Sequence, residues 1–61
     1  MSDHFLRRPE VERETGLSCS AIYRDIEAGT FPRQIKIGKR AVAWRASDIE
    51  RWKAERLDAS T

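Results

Sequence analysis

The stretch Thr15-Gly16-Leu17-Ser18-Cys19-Ser20-Ala21-Ile22-Tyr23-Arg24-Asp25-Ile26-Glu27-Ala28-Gly29 decides the fold. Gly16 ends one helix, because glycine readily takes the left-handed conformation that closes a helix. Ser18 is a good N-cap for the next, which runs to a second glycine stop at Gly29. Ile22 and Ile26 stand four apart, so they stack on one face and point inward. At about 100° per residue, Ser20 and Arg24 fall opposite that pair, with Cys19 and Tyr23 on the flank. Two helices joined by a tight turn at Gly16-Leu17-Ser18 form a helix-turn-helix pattern.

Upstream, Arg8-Pro9-Glu10-Val11-Glu12-Arg13-Glu14-Thr15 predicts the first helix, with Pro9 suited to its first position. Glu10 and Glu12 lie in its first turn, where the helix dipole favours negative charge. A helix of about two turns does not persist alone. Downstream, Phe31 is placed to cover the core. Gln34-Ile35-Lys36-Ile37 then alternates with period 2, both Ile on one face and Lys36 on the other. Gly38-Lys39-Arg40 supplies a turn, and Ala41-Val42-Ala43-Trp44-Arg45 returns with Val42 and Trp44 on a common face. The pattern predicts a β-hairpin with two positive charges at its tip. The last helix is expected to open at Ser47, with Glu50 completing a capping box, and to turn Ile49, Trp52 and Leu57 toward the core. The tail Asp58-Ala59-Ser60-Thr61 is expected to fray. The fold class is α+β, mostly helical: a small winged helix-turn-helix over residues 1–61.

Length and composition narrow the function. A 61-residue chain has room for one small domain that buries about 60% of its unfolded surface. No apolar run approaches the roughly 20 residues of a membrane span, and the N-terminus, Met1-Ser2-Asp3-His4-Phe5-Leu6, lacks the pattern of a signal peptide. A cytoplasmic protein is expected. One cysteine and one histidine, Cys19 and His4, exclude an internal disulfide framework and speak against a His/Cys metal site. No cofactor is expected, and no two catalytic groups are positioned with recognisable geometry. His4 reads as a solvated terminal residue.

The net charge of +2, 12 basic against 10 acidic residues, hides a strong asymmetry. Between positions 33 and 45 stand Arg33, Lys36, Lys39, Arg40 and Arg45 with no acid, so +5 is concentrated in 13 residues. Residues 1–32 balance to −2 and residues 46–61 to −1. Local fields of this kind steer association with a polyanion.

In a helix-turn-helix the second helix enters the major groove by its N-terminal end while the first braces it. Here that end carries Ser18, Cys19, Ser20, Tyr23 and Arg24. Arg24 suits guanine or a phosphate; the serine hydroxyls and free helix-start N–H groups suit phosphate oxygens. Lys36, Lys39 and Arg40 form a basic wing over residues 36–42 that reaches the backbone beside helix 18–28. Asp25 and Glu27 sit further along, farther from a duplex. Tyr23 either packs or reaches a phosphate. Trp44 and Trp52 read as core, since their in-phase partners are Val42 and Ile49. Glu10, Glu12 and Glu14 read as a solvated face, and Arg51, Lys53 and Arg56 as partners of surface acids.

Taken in order, Leu6-Arg7-Arg8-Pro9-Glu10-Val11, Thr15-Gly16-Leu17-Ser18, Ala21-Ile22-Tyr23-Arg24, Gly29-Thr30-Phe31-Pro32, Ile35-Lys36-Ile37-Gly38, Val42-Ala43-Trp44-Arg45 and Asp48-Ile49-Glu50-Arg51-Trp52 resemble AlpA-type prophage regulators. The resemblance covers residues 6 to about 57. It implies a winged helix-turn-helix, similar also to MerR-type DNA-binding domains and phage excisionases, that regulates prophage or mobile-element genes. One departure is Cys19, where the family often carries Arg or Lys. Glu12 stands where many general helix-turn-helix motifs place a small residue, which favours the winged type.

The expected partner is double-stranded DNA, bound through repeated half-sites as a weak dimer or as several copies. Two rivals make different demands. An excisionase-like factor that bends attachment-site DNA requires sites phased beside a recombination site. A protein-interaction adaptor using the acidic first helix requires protein binding and no salt-dependent DNA retention.

Overall fold

The computed structural model describes residues 3–59 and assembles three helices on a small antiparallel sheet. In chain order the elements are β1 (Phe5–Leu6), α1 (Arg8–Thr15), α2 (Cys19–Ala28), β2 (Ile35–Lys36), β3 (Val42–Arg45) and α3 (Ala46–Ala59). This is a winged helix-turn-helix, with the β2–β3 hairpin as its wing. Strand β3 lies in the centre of the sheet, in the order β1-β3-β2. Phe5 pairs with Arg45 and Leu6 with Trp44 on one edge; Ile35 pairs with Ala43 and Lys36 with Val42 on the other.

Both short helices end as the glycines require. Gly16 has φ 74° and its N–H reaches the Glu12 carbonyl at 2.8 Å. Gly29 has φ 79°; its N–H donates to Ile26 and the Thr30 N–H donates to Asp25, the paired bonds of a Schellman end. No atom lies within 4 Å of where a side chain would start at either glycine, so backbone conformation alone fixes the residue type there. At the start of α1, Pro9 is the second helical residue rather than the first, and Arg7 is the N-cap. An arginine side chain has no acceptor, so the Glu10 carboxylate secures that end by accepting the Arg7 N–H at 3.0 Å.

Val11 from α1, Ile22 from α2, Phe31 from the loop after it, Trp44 from β3 and Ile49 from α3 form the buried cluster. Trp44 is fully buried and its indole N–H donates to the Pro32 carbonyl at 3.0 Å, so the largest core side chain also anchors the loop entering the wing. Phe31 meets Trp52 edge-on, with ring centroids 5.3 Å apart. Trp52 is half-buried, packed against this cluster, and Arg56 stacks over its ring at 5.0 Å.

Several expectations need correction. The sequence pattern gave no strand at Phe5–Leu6, yet these residues complete the sheet. Ala43 is as buried as Trp44, so burial in β3 is not confined to the Val42/Trp44 face, while Arg45 at its end is exposed. Helix α3 follows β3 without a break and starts at Ala46, so Ser47 is not an N-cap and forms no capping box. Instead the Asp3 carboxylate accepts the Ser47 N–H at 3.0 Å and its hydroxyl at 2.8 Å, while the His4 carbonyl accepts the Ala46 N–H at 2.8 Å. Leu57 is 68% exposed rather than in the core. The helix extends through Asp58 and Ala59; Ser60 and Thr61, like Met1 and Ser2, lie outside the described residues.

The acidic run of α1 stays at the surface, as expected, and makes ion pairs there. Glu12 pairs with Arg8 at 3.3 Å, and Glu14 pairs with Lys53 of α3 at 2.6 Å. Lys53 also reaches Glu50 at 3.0 Å, so one ammonium ties the bracing helix to the C-terminal helix. These contacts hold the Glu14 carboxyl below its usual range, chiefly through the Lys53 hydrogen bond, and push Lys53 up.

Candidate nucleic-acid interface

Helix α2 is fixed at both ends before any ligand is considered. The Ser18 hydroxyl oxygen accepts the Ala21 N–H at 3.2 Å. Thr15 braces the turn: its hydroxyl donates to the Val11 carbonyl at 2.7 Å and accepts the Leu17 N–H at 3.2 Å. A single side chain thus couples the last turn of α1 to the three-residue connection, and so sets how α2 leaves it. The sequence reading had no role for Thr15; a hydroxyl one residue before a closing glycine is the signal that marks it.

The buried face of α2 carries Ile22, fully buried, and Ile26, half-buried against the core. On the opposite face Ser20, Arg24 and Glu27 are exposed, as spacings of four and three residues require. Ser18 is exposed and Cys19, a free thiol, is half-buried. Tyr23 packs: its ring lies 6.4 Å from that of Trp44, tilted by 56°, though the residue retains some exposure. The Arg24 side chain is 77% exposed, and its only ion pair among the described residues is with its chain neighbour Asp25 at 3.6 Å. An exposed pair of this length contributes little, so the guanidinium is available to a stronger acceptor.

In the wing, the Ile37 N–H donates to the Ala41 carbonyl at 2.9 Å and closes the loop around Gly38, Lys39 and Arg40. Lys36, Lys39 and Arg40 are all exposed, and none has an ion-pair partner among the described residues. Ile37, 40% exposed, lies past the edge of the core, unlike the half-buried Ile35.

An open groove of about 520 Å³ joins the two parts, lined by Ile26 and Glu27 of α2 and by Arg33, Gln34, Lys36 and Val42 of the hairpin side. Of these only Lys36 was singled out from sequence. Arg33 belongs to the acid-free basic stretch of positions 33–45, and its type alone assigns it no further role. Glu27 shares the exposed stripe of Ser20 and Arg24, which helical phase alone shows. Among the described residues, no three His, Cys, Asp or Glu side chains gather to hold a metal ion, and no helix is long and apolar enough to cross a membrane. What the surface offers is hydrogen-bond donors along the exposed face of α2 and positive charge on the wing.

Residues 4–57 match the family described as prophage CP4-57 regulatory protein (AlpA). The uncharacterized protein ORF88 of Enterobacteria phage P4 is 46% identical over 55 residues, covering 90% of this chain. Those residues cover 62% of ORF88, so the chain spans less than two thirds of that relative's length. With nearly all of its folded length matched, the chain belongs to the AlpA family of prophage regulatory proteins.

Proposed function

We propose that this protein is a sequence-specific double-stranded DNA-binding regulator of prophage or mobile-element transcription, working in the cytoplasm as one domain. The observation that carries the proposal is the pairing of a rigidly capped helix, exposed along Ser20 and Arg24, with a wing whose cations lack partners among the described residues. Helix α2 lies in the major groove, with Arg24 and Ser20 at base edges and Ser18, Cys19 and Tyr23 beside them. Lys36, Lys39 and Arg40 hold the wing on the sugar-phosphate backbone. The protein acts by occupying DNA, without catalysis. A module of this size covers roughly 600–1,000 Å², which favours two or more copies on repeated half-sites.

Selection of bound duplexes from a random pool, repeated at two salt concentrations, tests this directly. A recurring motif should emerge, with affinity falling by about 0.9 in log–log slope for each phosphate neutralised. Retention without an enriched motif, or with no salt dependence, would overturn it.

A further inference from the structure

The groove between α2 and the hairpin contains a feature the residue pattern left unexplained. Its cationic side chains, Arg33 and Lys36, face a single acid, Glu27. All three are exposed, and none forms an ion pair among the described residues. Arg33 is well supported, since the carbonyl of its neighbour Pro32 accepts the indole N–H of fully buried Trp44. Its backbone is therefore tied to the core while its guanidinium is free to meet a ligand. Gln34 adds a neutral hydrogen-bonding amide to the same wall.

Building on the DNA-binding reading, we propose that this groove seats the phosphodiester strand at the edge of the major groove that α2 enters, between that helix and the backbone-bound wing, with Arg33 as a phosphate-contacting residue and Glu27 as a repulsive one that limits generic hold. The geometry follows from the duplex itself. A helix in the major groove and a hairpin on the backbone beside it straddle the strand at the groove's edge, and the cleft between helix and hairpin is where that strand passes. Arginine suits the seat because its planar fork of donors matches two phosphate oxygens. Glu27 lies on the α2 stripe of Arg24 and also lines the groove, so its carboxylate stands close to the passing strand. An unneutralised carboxylate there weakens hold on any polyanion, and the surviving affinity depends more on base contacts.

The test is DNA binding of the full chain, measured on the selected duplex and on a scrambled one over a fourfold salt range. Arg33→Gln should weaken both duplexes by similar factors and flatten the log affinity against log salt slope by about 0.9, one phosphate's worth. Arg33→Lys should restore most of the slope and part of the affinity. Glu27→Gln should tighten both duplexes together. An unchanged slope in Arg33→Gln, with the wild type binding normally, would overturn the seat while leaving the regulator reading intact. A Glu27→Gln loss confined to the selected duplex would make Glu27 a base-reading residue and overturn its repulsive role. If the wild-type protein itself shows no salt-dependent binding, both readings fall together. Thermal melts of each variant separate these outcomes from loss of fold, and retention of the wild-type melting temperature is expected because both side chains are exposed and unpaired.

Discussion

The Asp3 carboxylate accepts two hydrogen bonds from Ser47, a residue 44 positions later, one from its N–H at 3.0 Å and one from its hydroxyl at 2.8 Å. It supplies from outside what a helix usually takes from its own N-cap. The reason lies in the chain path. Helix α3 follows β3 with no residue between them, so a local capping turn has no place to form. The N-terminal segment fills the gap, pairing along β3 and then capping the helix that leaves it.

Removing that cap should destabilise the fold in a pH-dependent way. The Ser47 hydrogen bonds, with smaller help from Arg45 and His4, hold the Asp3 carboxyl below its usual range. A carboxyl lowered on folding contributes stability above its unfolded pKa and loses it as pH falls through its folded one. Asp3→Ala should therefore melt at a lower temperature than the wild type at pH 7, and the gap should narrow at pH 2. Equal gaps at both pH values would show that the cap acts through something other than the ionised carboxylate.

The Glu14–Lys53 bridge should behave differently, because both of its partners are shifted. Glu14 is lowered, so its share is lost as pH falls through its folded pKa. Lys53 is raised, so its share is complete below the ordinary lysine value and is lost as pH rises through the folded one. The bridge is thus intact across the neutral range and fails at both extremes. A double-mutant cycle with Glu14→Gln and Lys53→Met should show favourable coupling at pH 7 and low salt. That coupling should shrink toward zero in 1 M salt, where the screening length is about 3 Å. Additive single mutants at low salt would remove the bridge from any account of how α1 is held against α3.

Trp44 is the side chain on which core and wing both depend. Trp44→Phe removes the hydrogen bond to Pro32 and part of the core volume, and should cost about 1–3 kcal/mol. Trp44→Ala should cost about 3–5 kcal/mol. A domain of this length has roughly 3–9 kcal/mol in all at about 0.05–0.15 per residue, so the second variant should lose at least about a third of its stability and unfold at a much lower urea concentration. Urea titration monitored by circular dichroism decides the matter, and a wild-type midpoint in Trp44→Ala would refute the central role given to this residue.

Those features that local chemistry encodes were readable in advance. Gly16, Ser18 and Gly29 bound α2 because each acts on its own neighbours, and the Ile35–Val42 alternation marks the hairpin for the same reason. Most of what is not legible depends on distant partners, although the Thr15 brace is built from neighbours at Val11 and Leu17. Nothing near Ser47 indicates that Asp3 will cap α3, so Ser47-x-x-Glu50 was read as a local box. Phe5–Leu6 is too short to show a period, and becomes a strand only because β3 offers an edge. Leu57 is in phase with Ile49 and Trp52, but phase cannot show that α3 outruns the core beneath it. At the interface, single residues were legible by type, whereas the groove uniting Glu27, Arg33 and Lys36 required the hairpin to be set against α2.

The division of labour between helix and wing yields the sharpest expectation for DNA binding. Arg24 is 77% exposed and, among the described residues, paired only with adjacent Asp25, so on the proposed reading its guanidinium exchanges that weak contact for a base edge. Arg24→Ala should cost on the order of 1–3 kcal/mol on the selected duplex and much less on a scrambled one. Lys39→Ala combined with Arg40→Ala removes two exposed charges from the wing tip. That pair should weaken both duplexes alike and flatten the salt slope by about 1.8, at 0.9 per phosphate contact. Each variant leaves the buried cluster untouched, so melting temperatures should hold and differences in binding report on the surface alone. If both variants lost the same affinity on both duplexes with the same change of slope, base readout would not reside in α2, and the helix would serve only as another cationic contact.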